Sequence, residues 1–189
     1  MEKKWNIHKL ALVGLMAALV FATSGIRLEI PLPVDKAAIH LGNVMCVLSG
    51  LLLGPVGGLA SGIGSFFYDL VNPLYAPEAL ITFFNKFFIG FLAGLIAHAH
   101  GNGGRSHRRN LMGAAAGSLA YVLLYLIKSA LSSQLVFDLH TQSELMLFLL
   151  PKAVTSLVNG AIACVVAVPL AAVLLNTLDR SGLTQRFSR

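Results

Sequence analysis

The sequence predicts an all-α membrane protein, a compact six-transmembrane-helix bundle with both termini cytoplasmic, and three observations carry that prediction. Hydrophobic residues make up 56% of the chain and charged residues only 12%, with a mean hydropathy of +0.76, whereas about a quarter of the residues in a soluble domain are charged. Apolar runs recur along the chain, most of them near the roughly 20 residues that a helix needs to cross a bilayer. The basic residues gather at the ends of these runs rather than among aromatics, which reads as a topology signal and not as a nucleic-acid surface. The 189 residues leave no room for a soluble domain beside the spans, so residues 1–189 are expected to form a single transmembrane domain.

Span one is expected over residues 10–26. The basic start MEKKWNIHKL and the small residues Ala22-Thr23-Ser24 also fit a secretory signal peptide. Against that, Gly14, Ala18 and Ala22 recur at every fourth position and give one smooth strip, suited to packing against another helix. The segment from Arg27 to Ala38, with Pro31 and Pro33, is too polar and too broken to lie in lipid.

Spans two (39–53) and three (55–71) are short and form a hairpin hinged at Gly54-Pro55, with Pro55 suited to a first helical turn. The turn-rich connector Asn72–Pro77 leads into span four (78–98), and the glycine- and arginine-rich stretch Ala97–Asn110 reads as an aqueous link. Span five is expected over 111–131. After a polar loop carrying Asp138, His140 and Glu144, span six runs over 145–178, long enough to tilt or to begin as an interfacial segment before Pro151.

With the N-terminus inside, nine of the fourteen Lys and Arg residues fall on the cytoplasmic side and only Arg27 and Lys36 on the other, as the positive-inside rule requires. Lys86, Lys128 and Lys152 remain, one in each of spans four, five and six. A lysine at mid-membrane costs about 2.5 to 3.5 kcal/mol, so such residues face a bundle interior or a wet cavity. At 1.5 Å per residue, all three fall within about 12 Å of the outer surface.

Tyr121, Tyr125 and Lys128 share one face of span five, and Lys152, Ser156 and Asn159 share one face of span six. With Asn85, with Asn43 and Asp69 at the outer ends of the hairpin, and with Tyr68, they are the candidate lining of a pocket for a small polar heterocycle. The competing reading is lysines that snorkel to the headgroups above an interfacial tyrosine belt, with Asp69 paired to one of them.

No GxxxxGK[ST] motif is present, so the chain does not hydrolyse ATP through a P-loop. Ser61 has no histidine at its own depth, which sets aside an intramembrane serine protease. His98 and His100 are weak evidence for a metal, and Cys46 and Cys164 read as small buried thiols. The chain is expected not to be an enzyme, and no cofactor and no metal site are expected.

The run HLGN, then LLLGPVGGLASGIGSFFYDL, a connector with YAP and the helix KFFIGFLAGLIA together resemble the substrate-binding S components of energy-coupling factor (ECF) vitamin transporters. The likeness extends from span one to span six and is nearest the group named for riboflavin uptake, which also includes pyrimidine and pyridoxine-type carriers. It implies six helices, a membrane coupling subunit and two cytoplasmic ATPases as partners, a vitamin-like small molecule as ligand, and a place in the prokaryotic plasma membrane.

It further implies that the span-one strip Gly14, Ala18 and Ala22 meets the coupling subunit. The ligand is implied near the outer side, among spans four to six and the loops after spans one, three and five. The family's mechanism implies an S component that topples in the membrane with its ligand. A stand-alone small-solute transporter, or a structural membrane subunit without an ATPase partner, is the other reading open to these residues.

Overall fold

The structure is a computed structural model that describes residues 7–31, 36–135 and 141–180. Asp35, Asp138 and His140, which the sequence assigns to loops, lie outside the described residues, as do Lys3, Lys4, Arg186 and Arg189 of the two ends. Among the described residues, six α-helices form a bundle: α1 (Ile7–Ser24), α2 (Gly42–Leu53), α3 (Gly57–Leu70), α4 (Ala79–Ala97), α5 (His107–Leu135) and α6 (Gln142–Arg180). Among the described residues, five segments are long and apolar enough to cross a membrane: Ile7–Ser24, Gly42–Leu70, Ala76–Ala97, His107–Ser133 and Gln142–Arg180. The second of these holds both α2 and α3.

Its two halves fold back on one another. Gly54 has φ +71°, a left-handed conformation that ends α2, and Pro55 lies within the single 3-10 turn Gly54–Val56 before α3. The Ser61 hydroxyl of α3 then lies 3.1 Å from the Cys46 carbonyl of α2 and 2.9 Å from Gly57 O. At 12 and 14 residues, α2 and α3 are about 18 and 21 Å long, each shorter than a hydrocarbon core of roughly 30 Å.

Helix α4 is the central post, packed against α2, α3 and α5. The approach of α2 to α4 leaves no space for a side chain, because a Cβ added to Gly50 would come within 2.2 Å of Gly90 O. Gly50→Ala therefore forces two backbones apart, and overpacking of this kind typically costs about 1–3 kcal/mol. A lowered melting temperature in detergent is the expected result, checked by a fluorescence melt against the unsubstituted protein.

One part of the fold is not helical. The segment read as an irregular loop forms an antiparallel β-hairpin, β1 (Arg27–Pro31) with β2 (Lys36–His40), in which Arg27 pairs His40 and Leu28 pairs Ile39. The alternation Arg27-Leu28-Glu29-Ile30 is the period-two signal for a strand, and Pro31 stands at the strand's end, where a missing N–H is tolerated. Strand β2 packs against α6.

Helix α6 begins with a reciprocal cap between Thr141 and Glu144. The Thr141 hydroxyl receives the Glu144 N–H at 3.4 Å, while the Glu144 carboxylate receives the Thr141 N–H at 3.1 Å. This is the capping-box spacing, and α6 then continues through Pro151 and Pro169 for 39 residues without interruption.

Candidate functional site

At the end of the bundle that carries the β-hairpin, α4 places Lys86 inside the protein at 6% exposure. Such burial demands partners, since an ammonium in an apolar interior is costly unless its charge and its N–H groups are met. Lys86 Nζ donates to Asn43 Oδ1, in the first turn of α2, and lies 3.5 Å from His40 Nε2, at the end of β2. It also sits 4.4 Å from the centre of the Tyr121 ring of α5, a cation–π contact. Four elements thus meet at one ammonium. Tyr121 in turn stacks on Tyr125, with centroids 5.7 Å apart and planes 19° apart.

Strand β2 is fixed to α6 by one side chain. Asn159 accepts the His40 N–H at 3.0 Å and donates to the Ala38 carbonyl at 2.7 Å, so its amide takes the place of a neighbouring strand's peptide group. The sequence places Asn159 in the ligand pocket, but in the structure both ends of its amide are occupied by β2.

The other candidates divide. Lys152 of α6 is 2% exposed, with Nζ 4.0 Å from the centre of the buried Phe148 ring one helical turn earlier. Asp69 is buried at the end of α3. Asn85 is buried, but as the immediate neighbour of Lys86 it is about 100° around α4 and off the same face. Lys128 is paired to Glu78 at 2.5 Å, the acid being 43% exposed, and lies seven residues along α5 from Tyr121, about 10 Å. On α1, Gly14, Ala18 and Ala22 are exposed, and a Cβ added to Gly14 would meet nothing within 4 Å.

Two features escaped the sequence reading. Arg27 of β1 stands over the rings of Tyr68 and Tyr75, at 4.5 and 4.8 Å, while the Tyr75 hydroxyl donates to Glu29 at 2.9 Å. This cluster ties the β-hairpin to α3 and to the connector before α4. The second is His40, which the sequence shows only as the first letter of HLGN.

His40 is held neutral. Burial, with the Lys86 and Arg27 cations nearby, pushes its pKa well below the ordinary 6.5. With Nε2 receiving Lys86, the ring proton belongs on Nδ1, which is buried and has no hydrogen-bond partner. Leaving such a donor unmet costs about 1–3 kcal/mol.

A pH dependence follows from this neutral ring. Below about pH 6.5 the unfolded chain protonates His40 and the folded one does not, so the stability present above that pH falls as the pH drops, by up to about 1.4 kcal/mol per unit. Melting temperatures measured from about pH 7.5 to pH 5 should fall more for the unsubstituted protein than for His40→Gln.

The chain that holds this cluster has counterparts among known proteins. A profile of the ECF-type riboflavin transporter S component matches residues 4–176. The chain belongs to the ECF-type riboflavin transporter S component family.

The solved structure described as "Structure and mechanism of the S component of a bacterial ECF transporter" shares the fold. Its TM-score is 0.61 at 19% identity, over 90% of this chain and 97% of that one. A Pyrococcus woesei protein described as an uncharacterized protein in the gap 3′ region is 34% identical over 98 residues. That match spans 51% of this chain and 62% of the relative's length. The family is one of transporter subunits and not of enzymes. Within the S-component fold, the Lys86 cluster occupies the meeting point of α2, α4, α5 and the β-hairpin.

Proposed function

We propose that this chain binds a B-vitamin or a related small heterocycle as the substrate-specific subunit of an ECF-type importer in a prokaryotic plasma membrane, and that riboflavin is the first ligand to test. The single observation that carries the reading is the Lys86 cluster: an ammonium buried inside a membrane bundle, with an amide, an imidazole and an aromatic face around it. An ammonium is a point-charge donor suited to a ring carbonyl or an anionic group, and stacked Tyr121 and Tyr125 offer a π surface to a flat heterocycle. The family match supports a transport role and supplies the flavin as the leading candidate.

In this reading Lys86, Asn43, Tyr121, Tyr125 and Lys152 meet the ligand, and Asp69 adjusts the charge around them. Asn85 adds a polar group beside Lys86, and Lys128 with its Glu78 partner lies at the rim. Helices α2 and α3 count as two short spans, giving six in all and placing both termini in the cytoplasm. A membrane coupling subunit engages the exposed strip Gly14, Ala18 and Ala22 on α1, and two cytoplasmic ATPases supply the energy. Small residues of this kind allow a partner helix to approach closely in lipid.

The test is to purify the protein from cells grown in rich medium and identify what accompanies it by mass spectrometry. One vitamin-like ligand, together with a coupling subunit and ATPases, is the expected finding. Recovery of no such ligand, combined with no thermal stabilisation by any member of a B-vitamin panel, would overturn the proposal.

A further inference from the structure

We infer that His40 is a positioning residue for Lys86: with Asn43 it fixes two of the three ammonium N–H directions, so that the third is aimed for the ligand. The inference rests on the reading of Lys86 as a ligand contact and extends it to a residue that touches the ligand only through another.

An ammonium has three N–H groups in a tetrahedral array. One is directed to Asn43 Oδ1 and a second to His40 Nε2, 3.5 Å away; the third meets no hydrogen-bond acceptor among the described residues and has only the Tyr121 ring face beside it, 4.4 Å from Nζ, the surface on which a flat ligand would lie. Two fixed directions determine the third. A single partner would leave the ammonium free to rotate about that bond, and the ligand would have to arrest it at an entropic cost.

The imidazole can perform this task because it is itself fixed. Its backbone N–H is bound by Asn159 of α6 at 3.0 Å, and its strand pairs with β1 through the Arg27–His40 register. The charged groups that act on it are Lys86 from α4 and Arg27 from β1, and Gly42 lies beside Nδ1. Two cations and no acid act on the ring, which suits an acceptor that must stay unprotonated at Nε2.

Nδ1, by contrast, is buried without a partner. Asn159, a candidate ligand contact by its sequence pattern, then acts two steps from the ligand, by holding the strand that carries His40.

The two imidazole nitrogens can be mimicked separately, because a glutamine amide reaches the Nε2 position and the shorter asparagine amide reaches only Nδ1. Riboflavin is titrated into the purified full-length protein, into His40→Gln and into His40→Asn, with binding read from flavin fluorescence and folding from a melt. The expected result is an affinity within about threefold of the unsubstituted protein for His40→Gln and a loss of about tenfold for His40→Asn, with both folded.

Equal affinities for the two variants, or a folded His40→Gln that itself loses tenfold, overturns the positioning role while leaving the flavin site standing. Failure of the unsubstituted protein to bind riboflavin overturns the flavin reading, and the inference with it.

Discussion

Lys86→Met is expected to weaken vitamin binding about 30- to 150-fold, the equivalent of roughly 2–3 kcal/mol for one charge-assisted hydrogen bond in a site shielded from water. The methionine side chain matches the length of the lysine stem, so the change removes the charge and three donors and leaves the packing nearly intact. Asn43 Oδ1 and His40 Nε2 lose their donor at the same time, so the empty protein should also melt lower. Isothermal titration of the purified protein gives the first effect and a detergent melt the second.

Lys128→Met serves as the internal control. Its partner Glu78 is 43% exposed, and ion pairs near the surface are worth about 0–1 kcal/mol. Its affinity should therefore stay within about threefold of the unsubstituted protein. An equal loss in the two variants would mean that the three membrane lysines act together, contrary to their separate surroundings in the structure.

The second large effect belongs to Asn159→Leu. The leucine fills the same space but leaves the His40 N–H and the Ala38 carbonyl without their partner, and each buried group left unmet costs about 1–3 kcal/mol. Strand β2 should then separate from α6 far more often. Hydrogen exchange at the His40 amide reports this directly, with faster exchange by one to two orders of magnitude expected. Binding should fall along with the hold on β2, because the strand delivers His40 to Lys86. Unchanged exchange at that amide would show that β2 is retained by its other contacts and not by Asn159.

Much of this architecture was legible in the sequence because bilayers impose simple rules. Apolar runs revealed the helices, and Gly54-Pro55 marked the hinge between α2 and α3, where the backbone does turn through a left-handed glycine. The lysines drew attention for a physical reason as well: buried charge demands an explanation, and Lys86 proved to be surrounded by partners. Asn43 and Tyr121, named with it from position along their helices, are two of those partners.

What the sequence did not reveal depended on contacts between distant segments. The β-hairpin is a short strand pair with Pro31 and Pro33 falling at the end of β1 and between the strands, and its alternation over four residues was outweighed by the proline signal. His40 lies 46 residues from Lys86, and Asn159 lies 119 from His40, distances at which helical or strand periodicity says nothing. The pairing of Lys128 with Glu78 depends likewise on the packing of α4 against α5, not on depth in the membrane. The capping box at Thr141 and Glu144 was a readable local signal that the polar character of the loop obscured.

The most direct test of the account is a binding titration of the purified chain with a panel of B-vitamins, riboflavin first, alongside Lys86→Met. One vitamin should bind at one site per chain with Kd below about 1 μM, and the Lys86→Met protein, still folded, should bind it at least tenfold more weakly. A folded chain that binds none of the panel, or whose affinity is unmoved by Lys86→Met, would contradict the account.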